Sequence, residues 1–172
     1  MYSIFQIYLL TMTRKEMYLS WLNDAYSLET DIANTLESQV DDFDEYPDMK
    51  DSIKKHLDET KEHAKKLKNV IEKMGGDVSE LKSGIATIMG KAKGVTAETM
   101  HDKVVKNAIA DYATEYTEIG SYKSLIEAAK IVGDEESVKV FEDILEEEYE
   151  MADTIEESLP DLVTEYLVTH EE

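Results

Sequence analysis

Four long stretches of this chain carry an apolar residue at every third or fourth position. In three of them a carboxylate stands where the next apolar residue is due. Between Val105 and Ile126 the stripe is Val105, Ala108, Tyr112, Ile119, Tyr122 and Ile126, with Glu115 in its middle. In the first stretch Tyr18, Leu22, Ala25, Ile32, Leu36 and Phe43 bracket Glu29, and in the last Val140, Ile144, Met151 and Ile155 bracket Glu148. The remaining stripe is Ile53, Leu57, Thr60, Ala64, Leu67 and Ile71. A period near 3.6 with one apolar face belongs to helices that bury that face against one another. With 7 glycines and 2 prolines in 172 residues, breaks are few and the elements must be long. Nothing alternates as a strand does.

Local signals mark the ends. Thr13 and Glu16 form a capping box that opens a first helix running to about Phe43. The acidic run "DDFDEYPD" breaks it, and Pro47 suits the first turn of a second helix, which runs to Met74 and stops at Gly75-Gly76. A third helix is expected from about Thr96 to Val132. Gly133 stops it and Asp134 caps a fourth, which Pro160 ends after Leu159; "DLVTEYLVTH" then adds a short terminal helix. Short links join the members of each pair, and a connector at 77–95 with a short helix of its own joins the pairs. The expected fold is all-α: a ferritin-like four-helix bundle of two antiparallel hairpins with one long crossover. It forms a single domain over 1–172. The apolar extension at 1–12 is too short to span a bilayer and lacks a basic leader region.

The formal net charge of −21 repels phosphate backbones and anionic lipid, so nucleic acid and membrane surfaces are not expected partners, whereas cations are attracted. The chain has no cysteine, which excludes disulfides, thiolate nucleophiles and thiolate-held metal clusters and suits a reducing cytoplasm.

The seam carboxylates also agree in height. Glu29 stands 18 residues before Pro47 and Glu115 stands 18 before Gly133; Glu59 follows Pro47 by 12 and Glu148 follows Gly133 by 15. At about 1.5 Å per residue these acids fall within roughly two turns of one another. Each acid alone would fit an exposed position on a splayed bundle edge. Several at one level, buried without cations, would cost several kcal/mol each or be forced to protonate. The seams hold no arginine, and the chain's only one is Arg14. A pair of divalent cations would neutralise the cluster, as in carboxylate-bridged di-iron bundles. The second helix adds "HLDETKEH", in which His56, Glu59 and His63 run down one side. His63 lies closest to the seam and Glu59 nearer its edge, although a histidine on so lysine-rich a helix also fits ordinary surface. His101 and His170 read as surface residues, and Tyr112, Tyr116 and Tyr122 as core or as neighbours of a site.

As an ordered set, "WLNDAYSLE", "HLDETKEHAKKL", "ADYATEYTEIGSYKSLI" and "ILEEEYEMAD" resemble the YciE/YciF-like ferritin-like family over about residues 14–168. The resemblance implies a small cytoplasmic helical bundle, generally dimeric, linked to bacterial stress responses and holding a di-metal centre. It implies that Glu29, Glu59, Glu115, Glu118 and the Glu147-Glu148 pair match the family's acidic positions, and that His63 falls where the family often has His or Gln. There are departures: Tyr116 replaces the family's third-helix His, Ala152 its fourth-helix Asp, and there is no Glu-x-x-His pair of the ferritin type. The expected donor set is rich in oxygen and poor in nitrogen, which argues against a redox-active iron pair and leaves room for manganese or another hard cation; two divalent ions, iron before manganese, remain the expected cofactors. Three readings follow. The first is a two-metal protein handling iron, oxygen or peroxide. The second is a non-catalytic homodimeric bundle acting as a structural or interaction protein. The third is an iron-storing cage. The residues leave open whether it is an enzyme; no nucleotide loop or nucleophile triad is present.

Overall fold

The structure, a computed structural model, describes residues 12–78 and 102–170. Among these, four long helices account for nearly all residues: α1 (Arg14–Gln39), α2 (Pro47–Lys73), α3 (Lys103–Val132) and α4 (Glu135–Thr169), with a 3-10 turn at Val40–Phe43. Residues 1–11, most of the 77–95 connector with its expected short helix, and His101 lie outside the described residues.

The ends form as their residue chemistry dictates. Thr13 and Glu16 make the reciprocal capping box, the Glu16 amide donating to Thr13 Oγ1 and the Thr13 amide to Glu16 Oε2 at 2.7 Å. Pro47 occupies the first turn of α2, where a missing N–H costs nothing. Gly133 adopts φ 81°, a left-handed conformation that favours glycine, and the next amide, Asp134 N–H, reaches back to Ala129 O at 2.9 Å.

Two expectations fail here. Asp134 makes no side-chain cap; its carboxylate instead accepts from the Tyr18 hydroxyl at 3.0 Å, tying the start of α4 to the start of α1. Nor does Pro160 end α4, which continues unbroken to Thr169. Proline removes one helical hydrogen bond, but its ring is on the exposed side. Beyond it Leu162 is buried and Tyr166 packs against the core, so tertiary contact holds the last turns helical.

Cross-bundle pairs set the directions. Tyr18 and Asp134 bring the starts of α1 and α4 together, Lys73 pairs with Glu136 at the same end, and Lys103 reaches Asp42 (2.8 Å) at the opposite end. Helices α1 and α4 therefore run one way and α2 and α3 the other. The end of α2 and the start of α3 lie at opposite ends of the bundle, as a two-hairpin ferritin-like connectivity requires.

The core comes in two pieces. One contains Tyr18, Leu22, Leu67, Ile71, Leu125, Phe141 and Ile144. The other contains Leu28, Ile32, Leu36, Ile53, Leu57, Met151 and Ile155. Between them every helix contributes buried polar side chains: Glu29, then His56, Thr60 and His63, then Glu115 and Glu118, then Glu148. The interruptions read from sequence form one polar layer at mid-bundle, walled by apolar residues above and below.

Candidate metal centre

Each acid of the layer sits on the core-facing stripe of its helix, so folding the apolar neighbours carries it inward. Glu29, Glu115, Glu118 and Glu148 are each 1% exposed or less, as are both His56 and His63. His56, Thr60 and His63 stand four and three residues apart, on one face of α2. Thr60 is satisfied locally, its hydroxyl donating to His56 O at 2.9 Å.

The ligand atoms fall into two groups, each with all its atoms within 4.8 Å of one another. His56, Glu115, Glu118 and Glu148 form one, and Glu29, His63 and Glu148 the other. Glu148 belongs to both. His56 Nε2 lies 3.1 Å from Glu115 Oε1, and His63 Nδ1 lies 2.9 Å from Glu148 Oε1 and 3.7 Å from Glu29 Oε2. These contacts are short but lack hydrogen-bond alignment. Both Glu118 oxygens, both Glu148 oxygens, Glu29 Oε2, Glu115 Oε2, both His56 nitrogens and His63 Nδ1 are buried without a hydrogen-bond partner. Buried polar atoms are nearly always paired, and leaving one unpaired costs about 1–3 kcal/mol. A donor set whose lone pairs converge on common points, unsatisfied by protein, fits cations. Imidazole nitrogen with carboxylate oxygen is a donor set that divalent metal ions accept.

Electrostatics record the same crowding. Burial pushes Glu115 up to about 7, with Glu148 adding to the rise and His56 opposing it. Burial likewise raises Glu29, and it raises Glu118 well above the carboxylate range, with Glu148, Glu29 and Glu115 adding repulsion. Burial alone would lower His63, but Glu148 and Glu29 override it and raise the ring to about 10. Without a metal, protons are the cations this layer gathers.

Not every residue named from sequence joins the cluster. Glu59 is half-buried and its carboxylate pairs with Lys55 at 2.7 Å. Glu147 touches His63 from outside the layer. Three residues complete the surroundings. Tyr122, fully buried, donates its hydroxyl to Glu29 Oε1. Asp111, one turn before Glu115, is buried and raised to about 7 by desolvation and by the Glu115 charge. His56 is in the cluster, so each group holds one nitrogen donor, and the nitrogen-poor set expected from sequence gains a second histidine. A signal existed for His56: it stands seven residues before His63, two helical turns, beside the stripe residues Ile53 and Leu57. Tyr112 bonds to Glu156 at 2.6 Å and Tyr116 is half exposed, both away from the cluster.

An all-helical bundle crossed at mid-height by buried carboxylates and histidines defines the class: a ferritin-like bundle whose His/Glu groups could hold a metal ion. The chain belongs to the family described as "Domain of unknown function (DUF892)", which it matches over residues 13–168. Its fold is shared by three solved structures. A Xanthomonas campestris protein is 27% identical, with TM-score 0.78 over 91% of this chain and 98% of its own. YcfI of Rhodopseudomonas palustris is 25% identical, with TM-score 0.74 over 84% and 94%. The E. coli stress protein YciF is 19% identical, with TM-score 0.73 over 90% and 99%. Among the described residues no helix is long and apolar enough to cross a membrane.

Proposed function

We propose that this protein binds two divalent cations, iron first and manganese second, in the mid-bundle layer, and handles iron, oxygen or peroxide in a bacterial stress response. Glu148 would serve both metals, His56, Glu115 and Glu118 one, and Glu29 and His63 the other. The observation that carries this reading is the pair of ligand groups sharing one carboxylate whose oxygens have no protein partner. Bound iron would supply one-electron redox chemistry toward oxygen or peroxide. The chain's own residues do the rest. The two apolar cores exclude bulk water from the layer, Tyr122 holds Glu29 in place through its hydroxyl, and the acidic surface draws cations toward the bundle. A cytoplasmic homodimer is part of the proposal.

The test is metal analysis of untagged protein, followed by anaerobic reconstitution with Fe²⁺ or Mn²⁺. Two metals per chain are expected, with a raised thermal midpoint that chelation reverses. Saturation at 100 times Kd would add about 2.7 kcal/mol of stability for each site filled. No uptake of either metal and no response to chelator would end the proposal. Size-exclusion chromatography separates the expected dimer from a cage.

One observation favours a second reading. His63 lies against Glu148 and Glu147, so a protonated ring can balance part of the layer's charge without metal. The protein would then be a non-catalytic bundle acting as a structural partner. A Glu29→Ala, Glu115→Ala double variant separates the two. It loses metal and metal-dependent stability under the first reading; under the second it gains stability and has no metal to lose.

A further inference from the structure

We infer that Glu147 is the positioning residue for His63, holding Nε2 as the N–H donor so that Nδ1 turns its lone pair into the cluster. The inference rests on the metal reading above. The two ring nitrogens of His63 face opposite ways. Nδ1 lies 2.9 Å from Glu148 Oε1 and 3.7 Å from Glu29 Oε2, unaligned for hydrogen bonding with either. Nε2 is hydrogen-bonded to Glu147 Oε2.

Glu147 and Glu148 are neighbours in sequence, so α4 projects them about 100° apart. One enters the polar layer. The other passes along its rim and meets the far side of the same imidazole. Glu147 is 37% exposed in its side chain and is steadied by Lys66 Nζ at 3.5 Å, and it belongs to neither ligand group. A neutral imidazole carries one donor and one acceptor nitrogen, and the bond made by the donor decides which nitrogen is free to ligate. A carboxylate behind a ligating histidine fixes the ring's tautomer and orientation and makes the ligating nitrogen more basic. His56 differs: its Nδ1 is buried without a partner, and its Nε2 is the atom facing Glu115. The two histidines are therefore set differently: a carboxylate is bonded behind the ring of His63, and none is bonded to Nδ1 of His56. The acidic doublet is divided accordingly, Glu148 as ligand and Glu147 as the support of a ligand.

The experiment uses full-length protein with ¹⁵N-labelled histidine, Zn²⁺ as a diamagnetic probe, and long-range ¹H–¹⁵N correlation spectra. The chain has four histidines, and the signals are assigned with single His→Gln variants at the other three. In the Zn²⁺-bound wild type His63 is expected to keep Nε2 protonated and to bind through Nδ1. Glu147→Gln, whose amide oxygen still accepts from Nε2–H, keeps that pattern and loses less than about tenfold in Zn²⁺ affinity. Glu147→Leu removes the acceptor, mixes or reverses the ring assignment, and weakens Zn²⁺ by about 10–100-fold. Because the side chain is half exposed, both variants keep the fold, which circular dichroism checks. Zn²⁺ held through Nε2 in the wild type, or an unchanged spectrum and affinity in Glu147→Leu, overturns the assignment while leaving the metal reading standing. A wild type that takes up no Zn²⁺ overturns both.

Discussion

At the scale of single residues, the cost of the polar layer sits on identifiable atoms. Glu118 has both oxygens buried and unpaired. Glu118→Met, which fills the space without a polar group, should stabilise the metal-free protein by about 1–3 kcal/mol. It should also reduce the rise in thermal midpoint that Fe²⁺ or Mn²⁺ produces in the wild type. Thermal denaturation with and without metal checks both halves. Tyr122 makes the opposite case. Its ring packs against Phe141 and edge-on to His63, while its hydroxyl donates to Glu29. Tyr122→Phe keeps the packing and strips the hydrogen bond, so metal affinity should fall by about tenfold or more, as expected for loss of a ligand's support. Calorimetric titration with Mn²⁺ measures it.

At the scale of elements, Pro160 and Gly133 show how far local signals can be trusted. Both were read from sequence as ends. Gly133 is one, because its φ of 81° favours glycine and the loop between α3 and α4 is too short to choose another path. Gly133→Ala should cost about 1–2 kcal/mol in urea denaturation. Pro160 is not an end, because the turns after it keep Leu162 in the core. Pro160→Ala restores the missing helical hydrogen bond on an exposed face and should stabilise the protein by up to about 3 kcal/mol.

For the whole molecule, the buried layer makes metal-free stability depend on pH. Glu115 and Asp111 are raised to about 7, so each contributes stability fully below its unfolded value of 4.5 or 3.8 and loses it as pH rises to about 7. His63, raised to about 10, contributes fully below 6.5 and loses its share as pH rises to about 10. All three act in the same direction, and the self-repulsion of a chain at −21 adds to them. The thermal midpoint of the metal-free protein should therefore fall steadily from about pH 5 to pH 9. Metal reverses the dependence, because binding needs the ligands deprotonated: the gap between metal-loaded and metal-free midpoints should widen over the same range. A metal-free midpoint that climbs with pH would show that the layer is open to water.

Helical periodicity by itself determined the four amphipathic helices, the hairpin pairing and the level of the carboxylates, because each is a one-dimensional consequence of 3.6 residues per turn and of where glycine and proline stand. Glu29, Glu115 and Glu148 could be named as inward-facing from their stripes alone. Only the tertiary structure decided which neighbouring groups meet. It brought His56 inside with His63, left Glu59 on the rim with Lys55, set Glu148 between two ligand groups and turned Glu147 behind an imidazole. Those outcomes depend on helix rotation and on which faces oppose one another. A rotation of a few tens of degrees exchanges Glu147 for Glu148, and only the packing of four helices around two apolar cores sets it.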